Sequence, residues 1–207
     1  IISGLVGSEM CIRDSHSSMD ISIIIPLLNE SESLAQLHDW IVQTLEKEKY
    51  SFEIIFIDDG SSDSSWELIS SLSQQHKNTH GIQFSKNFGK SQALHAGFIK
   101  AKGEYVVTMD ADLQDSPEEI PSMIAQLKNK DLDLISGWKK KRYDSILFKN
   151  LPSKIFNWAA RRLSGIKLHD FNCGLKVYKK EVVKNIQVIG EMHRYIPVIA
   201  AHEGFDK

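Results

Sequence analysis

From Met19 onward, apolar and polar positions alternate in blocks. Short runs rich in β-branched residues fall at 21–26, 53–58, 81–84, 104–109 and 132–136, with a later one near 175–178. Between them lie stretches with apolar residues at helical spacing. The pattern predicts strands alternating with helices, an α/β fold built on a mostly parallel sheet with crossover helices. Helix starts are signalled by Asn29 with Glu32, by Ser64 with Glu67, and by Ser116 followed by Pro117 and Glu119, in N-cap or capping-box arrangements. Each start follows closely on a strand. The polar loops 29–31, 58–65 and 110–116 are therefore expected at the carboxyl ends of strands, where open α/β sheets bind ligands. No internal repeat or low-complexity linker divides the segment, although the pattern is less regular after Gly137.

Residues 1–18 behave differently. They hold Gly4, Gly7, several serines and a histidine without sustained periodicity. The chain opens on Ile-Ile-Ser-Gly, without the basic segment that precedes the apolar stretch of a secretory signal. Met19 reads as the natural start, and 1–18 as a non-native, disordered leader resembling translated cloning or sequencing sequence. One domain then occupies 19–207.

Composition works mainly by exclusion. The 207 residues are 42% hydrophobic and 25% charged, with Lys+Arg 25 against Asp+Glu 27, the profile of an ordinary globular domain with one core. A formal net charge of -2 gives no global basic field, so nucleic acid is not an expected partner. Apolar runs such as 21–28, interrupted by Pro26, fall well short of the roughly 18–20 residues that span a bilayer. Cys11 and Cys173 are far apart and lack a C-x-x-C pattern, which argues against a disulfide framework or structural zinc and fits a reducing compartment.

The strongest chemical signal is Asp110-Ala111-Asp112-Leu113-Gln114, directly after the apolar run Tyr105-Val106-Val107-Thr108-Met109. Two carboxylates at i and i+2, with the Gln114 amide oxygen as a third ligand, suit a hard divalent cation that completes its shell with substrate phosphates. The plain alternative is helix capping, but Ser116 already fills the cap position. A second strand-to-loop passage, Phe56-Ile57-Asp58-Asp59-Gly60-Ser61-Ser62-Asp63, offers acceptors for a nucleotide base or ribose; a solvated Asx-rich turn is the competing reading. Ile25-Pro26-Leu27-Leu28-Asn29-Glu30 by itself says strand, turn, helix.

Several familiar motifs fail. Gly89-Lys90-Ser91 looks like the end of a P-loop, yet Phe84 stands where that motif demands glycine. G-x-G-x-x-G, G-x-S-x-G and H-E-x-x-H do not occur. The basic run Lys139-Lys140-Lys141-Arg142 continues with Lys149, Lys154, Arg161 and Arg162, beside Leu147, Leu151, Ile155, Phe156, Trp158, Ala159 and Leu163, which can form one apolar helical face. Such a pairing suits an anionic lipid headgroup region, or a core-packing helix with exposed arginines. The turn His169-Asp170-Phe171-Asn172-Cys173-Gly174 gathers titratable groups, but Cys173 lacks an evident activating partner.

Taken in order, Ile25-Pro-Leu-Leu-Asn-Glu30, Asp58-Asp-Gly-Ser-Ser-Asp63, Asn87-Phe-Gly-Lys-Ser-Gln-Ala-Leu-His-Ala-Gly97, Asp110-Ala-Asp-Leu-Gln114 and Ser136-Gly-Trp-Lys139 resemble the family 2 inverting glycosyltransferases of the GT-A fold. Within them the chain is most similar to the polyprenyl-phosphate group that contains dolichol-phosphate mannose synthase and bactoprenol glucosyltransferases. His169-Asp-Phe-Asn-Cys-Gly-Leu-Lys176 and Gly190-Glu-Met-His-Arg-Tyr-Ile-Pro197 look like its bacterial branch.

The resemblance implies that Pro26, Asn29, Glu30, Asp58 or Asp59, and Asp110 line the nucleotide. It implies that Asp110, Asp112 and Gln114 hold Mg²⁺ or Mn²⁺. Lys139 stands where relatives carry Arg, and with Arg142 would bind phosphate, as a point charge rather than a bidentate fork. Lys149 and Ser153 would hold the acceptor phosphate. The implied reaction moves a sugar from a nucleotide-sugar, first of all UDP-glucose, to undecaprenyl phosphate at the cytoplasmic face of the inner membrane. A membrane-anchoring region beyond Lys207 and self-association of the full-length protein are also implied.

An anionic phosphate acceptor needs no protein base. A hydroxyl acceptor would need one, for which Asp170 is the candidate. A sugar nucleotidyltransferase would carry a Gly-rich loop where Leu27-Leu28-Asn29 stands, and a non-catalytic sugar-nucleotide-binding fragment is the reading from another class.

Overall fold

The computed structural model describes residues 19–138 and 173–207. Its elements alternate as the pattern predicts. Strand β1 (Ile21–Leu27) leads to helix α1 (Ser31–Lys47), β2 (Phe52–Asp58) to α2 (Ser65–Gln75), β3 (Thr79–Gln83) to α3 (Lys90–Lys100) and β4 (Tyr105–Thr108) to α4 (Glu119–Asn129). They are followed by β5 (Leu134–Ser136), β6 (Lys176–Lys179), α5 (Lys180–Asn185), a 3₁₀ turn (Met192–Tyr195) and α6 (Ile196–His202).

The strands form one sheet in the order β3-β2-β1-β4-β6-β5. β1 pairs in parallel with both β2 and β4, and β2 with β3. β6 is the exception, running antiparallel to β4 and β5, so the sheet is mixed although mostly parallel. Every residue of β1 and β2 is buried, as expected of strands covered by helices on both faces. One face packs Ile21, Ile23 and Ile25 with Leu34, Leu37 and Ile41 of α1, Ile69 of α2 and Ile120 and Ile124 of α4. The other packs Ile24, Ile55 and Ile57 with Leu94 and Phe98 of α3, Val182 and Val183 of α5, and Ile196 and Ala200 of α6.

Two sequence details set the geometry of the sheet's carboxyl edge. A side chain at Gly97 would overlap Ile24 Cγ2, so this glycine lets α3 lie close on β1 and brings the start of α3 over the strand end. Pro26 sits near the end of a central strand, a place where proline is usually excluded. The ladder with β4 ends at Ile24↔Thr108, with the Met109 amide donating to the Ile24 carbonyl. Since backbone groups alternate sides along a strand, the N–H that Pro26 lacks falls toward β4 just where β4 has turned away. A gap opens there between the two strands.

The helix starts are capped differently from the capping boxes the sequence predicts. The N-cap residues are Glu30, Ser64 and Glu118, and none makes a side-chain capping bond. Instead, the loops after β1 and β2 cap one another. Asp63 accepts from the Ser31 amide at 3.1 Å and the Ser65 amide at 3.0 Å, while Asn29 Oδ1 accepts from the Ser62 amide at 2.8 Å. The Ser61 and Ser65 hydroxyls accept from the Asn29 and Glu30 amides at 2.9 and 3.0 Å. Asn29 takes a left-handed conformation, φ 57°, in doing so, which Asn tolerates better than most residues.

Candidate active site

The loops after β1, β2 and β4 meet at the carboxyl edge, and the sequence-predicted residues divide there by what their polar atoms do. Asp59 is 5% exposed and spends both carboxylate oxygens on the residues that lead into α3, accepting the Phe88 amide at 2.7 Å and the Gly89 amide at 2.9 Å. Asp58 is fully buried; its Oδ1 accepts from the Ser61 amide at 2.9 Å, and its Oδ2 has no hydrogen-bond partner among the described residues. Asn29 and Asp63 brace the loops as above. Its bonds to Ser65, and then to Ser31, hold the half-buried Asp63 carboxyl down at about 2.

The loop after β4 is less committed. Asp110 meets the ammonium of Lys90 in a close ion pair. Asp112 is exposed, and its Oδ1 accepts from the Gln114 amide at 3.1 Å across Leu113, which is held at φ 60°. That conformation is strained for leucine, by an amount on the order of 1–3 kcal/mol, and such strain concentrates at ligand sites. Glu30 lies near enough to feel both aspartates: partial burial raises its carboxyl, followed by the charge of Asp112 and then Asp110. Gly174 presses on Asp110, since a Cβ there would lie 2.5 Å from the carboxylate. The Thr108 hydroxyl fixes the glycine by donating to its carbonyl at 2.9 Å.

Two hollows open at this edge. The smaller, about 230 Å³, is lined by Pro26, Leu27, Leu28, Asp59, Asn87, Gly89 and Lys90. The larger, about 300 Å³, is lined by Asp110, Thr108 and Gly174 together with Lys90, Lys176, His193 and Arg194. Pro26 and Lys90 line both, so the two hollows adjoin at these residues. His193 is fixed by Ser91, whose hydroxyl accepts from the His193 amide at 3.0 Å and lies 3.2 Å from Nδ1. Burial, with the charges of Lys90 and Arg194, pushes its imidazole below the usual histidine range, so the ring is neutral at pH 7.

Sequence reasoning points to Lys139 and Arg142 for phosphate binding and to Lys149 and Ser153 for the acceptor phosphate; these lie outside the described residues, as does Asp170. It passes over Lys90, Lys176 and Arg194 as site residues. The signal for Lys90 was Gly89-Lys90 itself, a cation at a helix start beside an open strand end, which a P-loop template discards. Among the described residues, no group of three or more His, Cys, Asp or Glu is drawn together tightly enough to hold a metal alone. The two carboxylates of Asp110 and Asp112 are hard oxygen donors of the kind that bind a divalent cation together with ligands from a substrate. The acid crowding that raises Glu30 is relieved by such a charge.

The sequence pattern of glycosyl transferase family 2 matches residues 22–187, which includes the loops after β1, β2 and β4. The chain belongs to that family. Its curated relatives include a dodecaprenyl-phosphate galacturonate synthase from Rhizobium johnstonii, 35% identical over 91% of this chain and 56% of the relative. An undecaprenyl-phosphate 4-deoxy-4-formamido-L-arabinose transferase from Salmonella choleraesuis is 36% identical over 87% of this chain and 55% of the relative. The chain thus spans about half the length of these relatives. Among solved structures it resembles a mannosyltransferase from Pyrobaculum calidifontis in complex with GDP-Man and Mn²⁺, with TM-score 0.63, 19% identity, and 90% of this chain covered against 53% of that one. Glucosyl-3-phosphoglycerate synthase from Mycobacterium tuberculosis with Mn²⁺, UDP and glucosyl-3-phosphoglycerate gives TM-score 0.62 at 19% identity, covering 80% of this chain and 58% of that one. The family 2 transferase therefore has the GT-A fold.

Proposed function

We propose that this family 2 transferase moves a sugar from a nucleotide-sugar to the phosphate of a polyprenyl phosphate, with inversion at the anomeric carbon, and that UDP-glucose is its donor. The observation that carries the reading is the composition of the larger hollow. Among the described residues lining it, Asp110 is the one carboxylate, while Lys90, Lys176 and Arg194 are cations. An acceptor phosphate is already ionised at neutral pH and needs cations to hold it, not a base to deprotonate it. A hydroxyl acceptor would need a carboxylate poised at the attacking oxygen.

In this reading the nucleoside lies in the smaller hollow beside Pro26 and Leu28, with Asp59 as a wall already bonded to backbone amides, Asp58 buried behind it, and Glu30 as an acceptor for base or ribose. The diphosphate crosses where the hollows adjoin, at Pro26 and Lys90. Asp110, Asp112 and Gln114 hold Mg²⁺ or Mn²⁺, which when bound neutralises the diphosphate as leaving group. Lys176 and Arg194 hold the acceptor phosphate in the larger hollow, with Lys139, Arg142, Lys149 and Ser153 as further cationic and hydroxyl ligands. The names of the relatives, which specify a polyprenyl-phosphate galacturonate synthase and a polyprenyl-phosphate formamido-arabinose transferase, support a lipid-phosphate acceptor. No helix among the described residues is long and apolar enough to cross a membrane. The proposed place of action is the cytoplasmic membrane face, where such an acceptor resides, and self-association there belongs to the same reading.

The test is transfer of radiolabel from UDP-glucose, UDP-galacturonate and GDP-mannose into an organic-solvent extract, with Mg²⁺ or Mn²⁺, using undecaprenyl phosphate and undecaprenol in parallel. Label in the lipid with the phosphate alone is expected. Equal transfer to undecaprenol would favour the hydroxyl-acceptor reading, and no lipid label from any donor would overturn the function.

A further inference from the structure

Lys90 is the cation shared by the two hollows, and its ammonium sits on an oxygen that the proposed metal needs. Its backbone is fixed: Asp59 holds the amides of Phe88 and Gly89, Ser91 is tied to His193, and Gly97 seats the helix on β1. Its side chain is not. The Lys90 and Asp110 side chains are 38% and 28% exposed, so water reaches the pair and the ammonium can change partners without a large desolvation cost. A lysine suits this, being a compact charge on a flexible stem.

Two cations on one carboxylate oxygen repel each other, which opposes the attraction of each for the acid. A divalent ion that takes the Asp110 oxygen held by Lys90 competes with the ammonium for it, and a displaced Lys90 lies where the two hollows adjoin. We propose that Lys90 is a placeholder cation, neutralising Asp110 while the donor site is empty and passing to the donor's diphosphate when a divalent cation takes Asp110, so that metal and nucleoside diphosphate bind cooperatively. The inference rests on the metal and donor assignment made above. It adds that the metal alone binds weakly because it competes with Lys90, and that the diphosphate strengthens it by giving Lys90 somewhere to go. By linkage, the metal strengthens diphosphate binding by the same factor.

The test is Mn²⁺ binding followed by the electron paramagnetic resonance signal of the free ion, on the whole chain, with and without saturating UDP. Wild type, Lys90→Met, Lys90→Gln and Lys90→Arg are compared, each first shown to have the wild-type circular dichroism. In wild type, UDP is expected to tighten Mn²⁺ binding about tenfold or more. Without UDP, Lys90→Met and Lys90→Gln should bind Mn²⁺ about tenfold more tightly than wild type, and UDP should add only about two- to threefold. Lys90→Arg should keep the wild-type pattern. If the two neutral variants bind Mn²⁺ alone no better than wild type, or keep its full response to UDP, Lys90 is not the placeholder although the metal assignment stands. If wild type takes up no Mn²⁺ even with UDP, the metal assignment falls and the Lys90 proposal falls with it.

Discussion

The loops after β2 and β4 are both acid-rich turns at the same edge of the sheet, yet they use their carboxylates in opposite ways. After β2, Asp59 and Asp63 are bound to backbone amides at the starts of α3, α1 and α2. Such partners cannot leave without unfolding the helix start, so these acids are scaffold. After β4, Asp110 is paired with a side-chain ammonium and Asp112, among the described residues, bonds locally to Gln114 while facing solvent. Those partners can be exchanged. Two turns of similar composition thus differ in whether the carboxylate's charge is consumed by the fold or remains available to a ligand.

The comparison is broken most strongly at the β4 loop. Asp112→Ala should reduce sugar transfer by about 10²–10³-fold while leaving the melting temperature within about 2 °C of wild type, measured by lipid-extractable label and calorimetry. Next comes the residue that shapes the loop without charge. Gly174→Ala places a methyl group against the Asp110 carboxylate, and a displacement of about 1 Å there should cost roughly 10²-fold in transfer with circular dichroism unchanged.

The β2 loop should answer in stability instead. Asp59→Ala strands the Phe88 and Gly89 amides and should lower the unfolding free energy by about 1–3 kcal/mol in urea denaturation, with the dependence of donor binding on metal retained. The smallest effect is expected at Asp63. Its carboxyl is lowered from the ordinary aspartate value to about 2 in the folded chain, so the stability it contributes is fully present above the unfolded value and is lost as pH falls through the folded one. Asp63→Ala should melt a few degrees below wild type at pH 7, and that gap should shrink below about pH 4 and close near pH 2.

Much of the architecture was legible because it depends on local pattern. The β-branched runs around Ile23, Ile55 and Val107 mark strands buried on both faces, and the acids at 110 and 112 stand out because they end such a run. The direction of β6 was not legible, since Lys176–Lys179 reads as a strand in either orientation and only its neighbours fix which. Helix capping was misread for a related reason. The bond that caps α1 runs between loops about thirty residues apart, from the Ser31 amide to Asp63, and the one at the start of α2 spans only two residues, while capping-box rules look three residues along. Lys90 escaped notice because its meaning lies in its partner, Asp110, on another strand end. The proline at 26 showed the reverse: read in sequence it ends a strand, but in the sheet it sits where the ladder with β4 has ended and lines both hollows.

The measurement that tests the division of labour most directly sets Asp110→Asn beside Asp59→Asn in one calorimetric titration of UDP with and without Mn²⁺. Asp110→Asn should melt like wild type and lose the Mn²⁺-dependent gain in UDP affinity, whereas Asp59→Asn should melt lower and keep that gain. An Asp110→Asn protein that keeps the full Mn²⁺-dependent gain, or an Asp59→Asn protein that melts like wild type and loses it, would contradict the account.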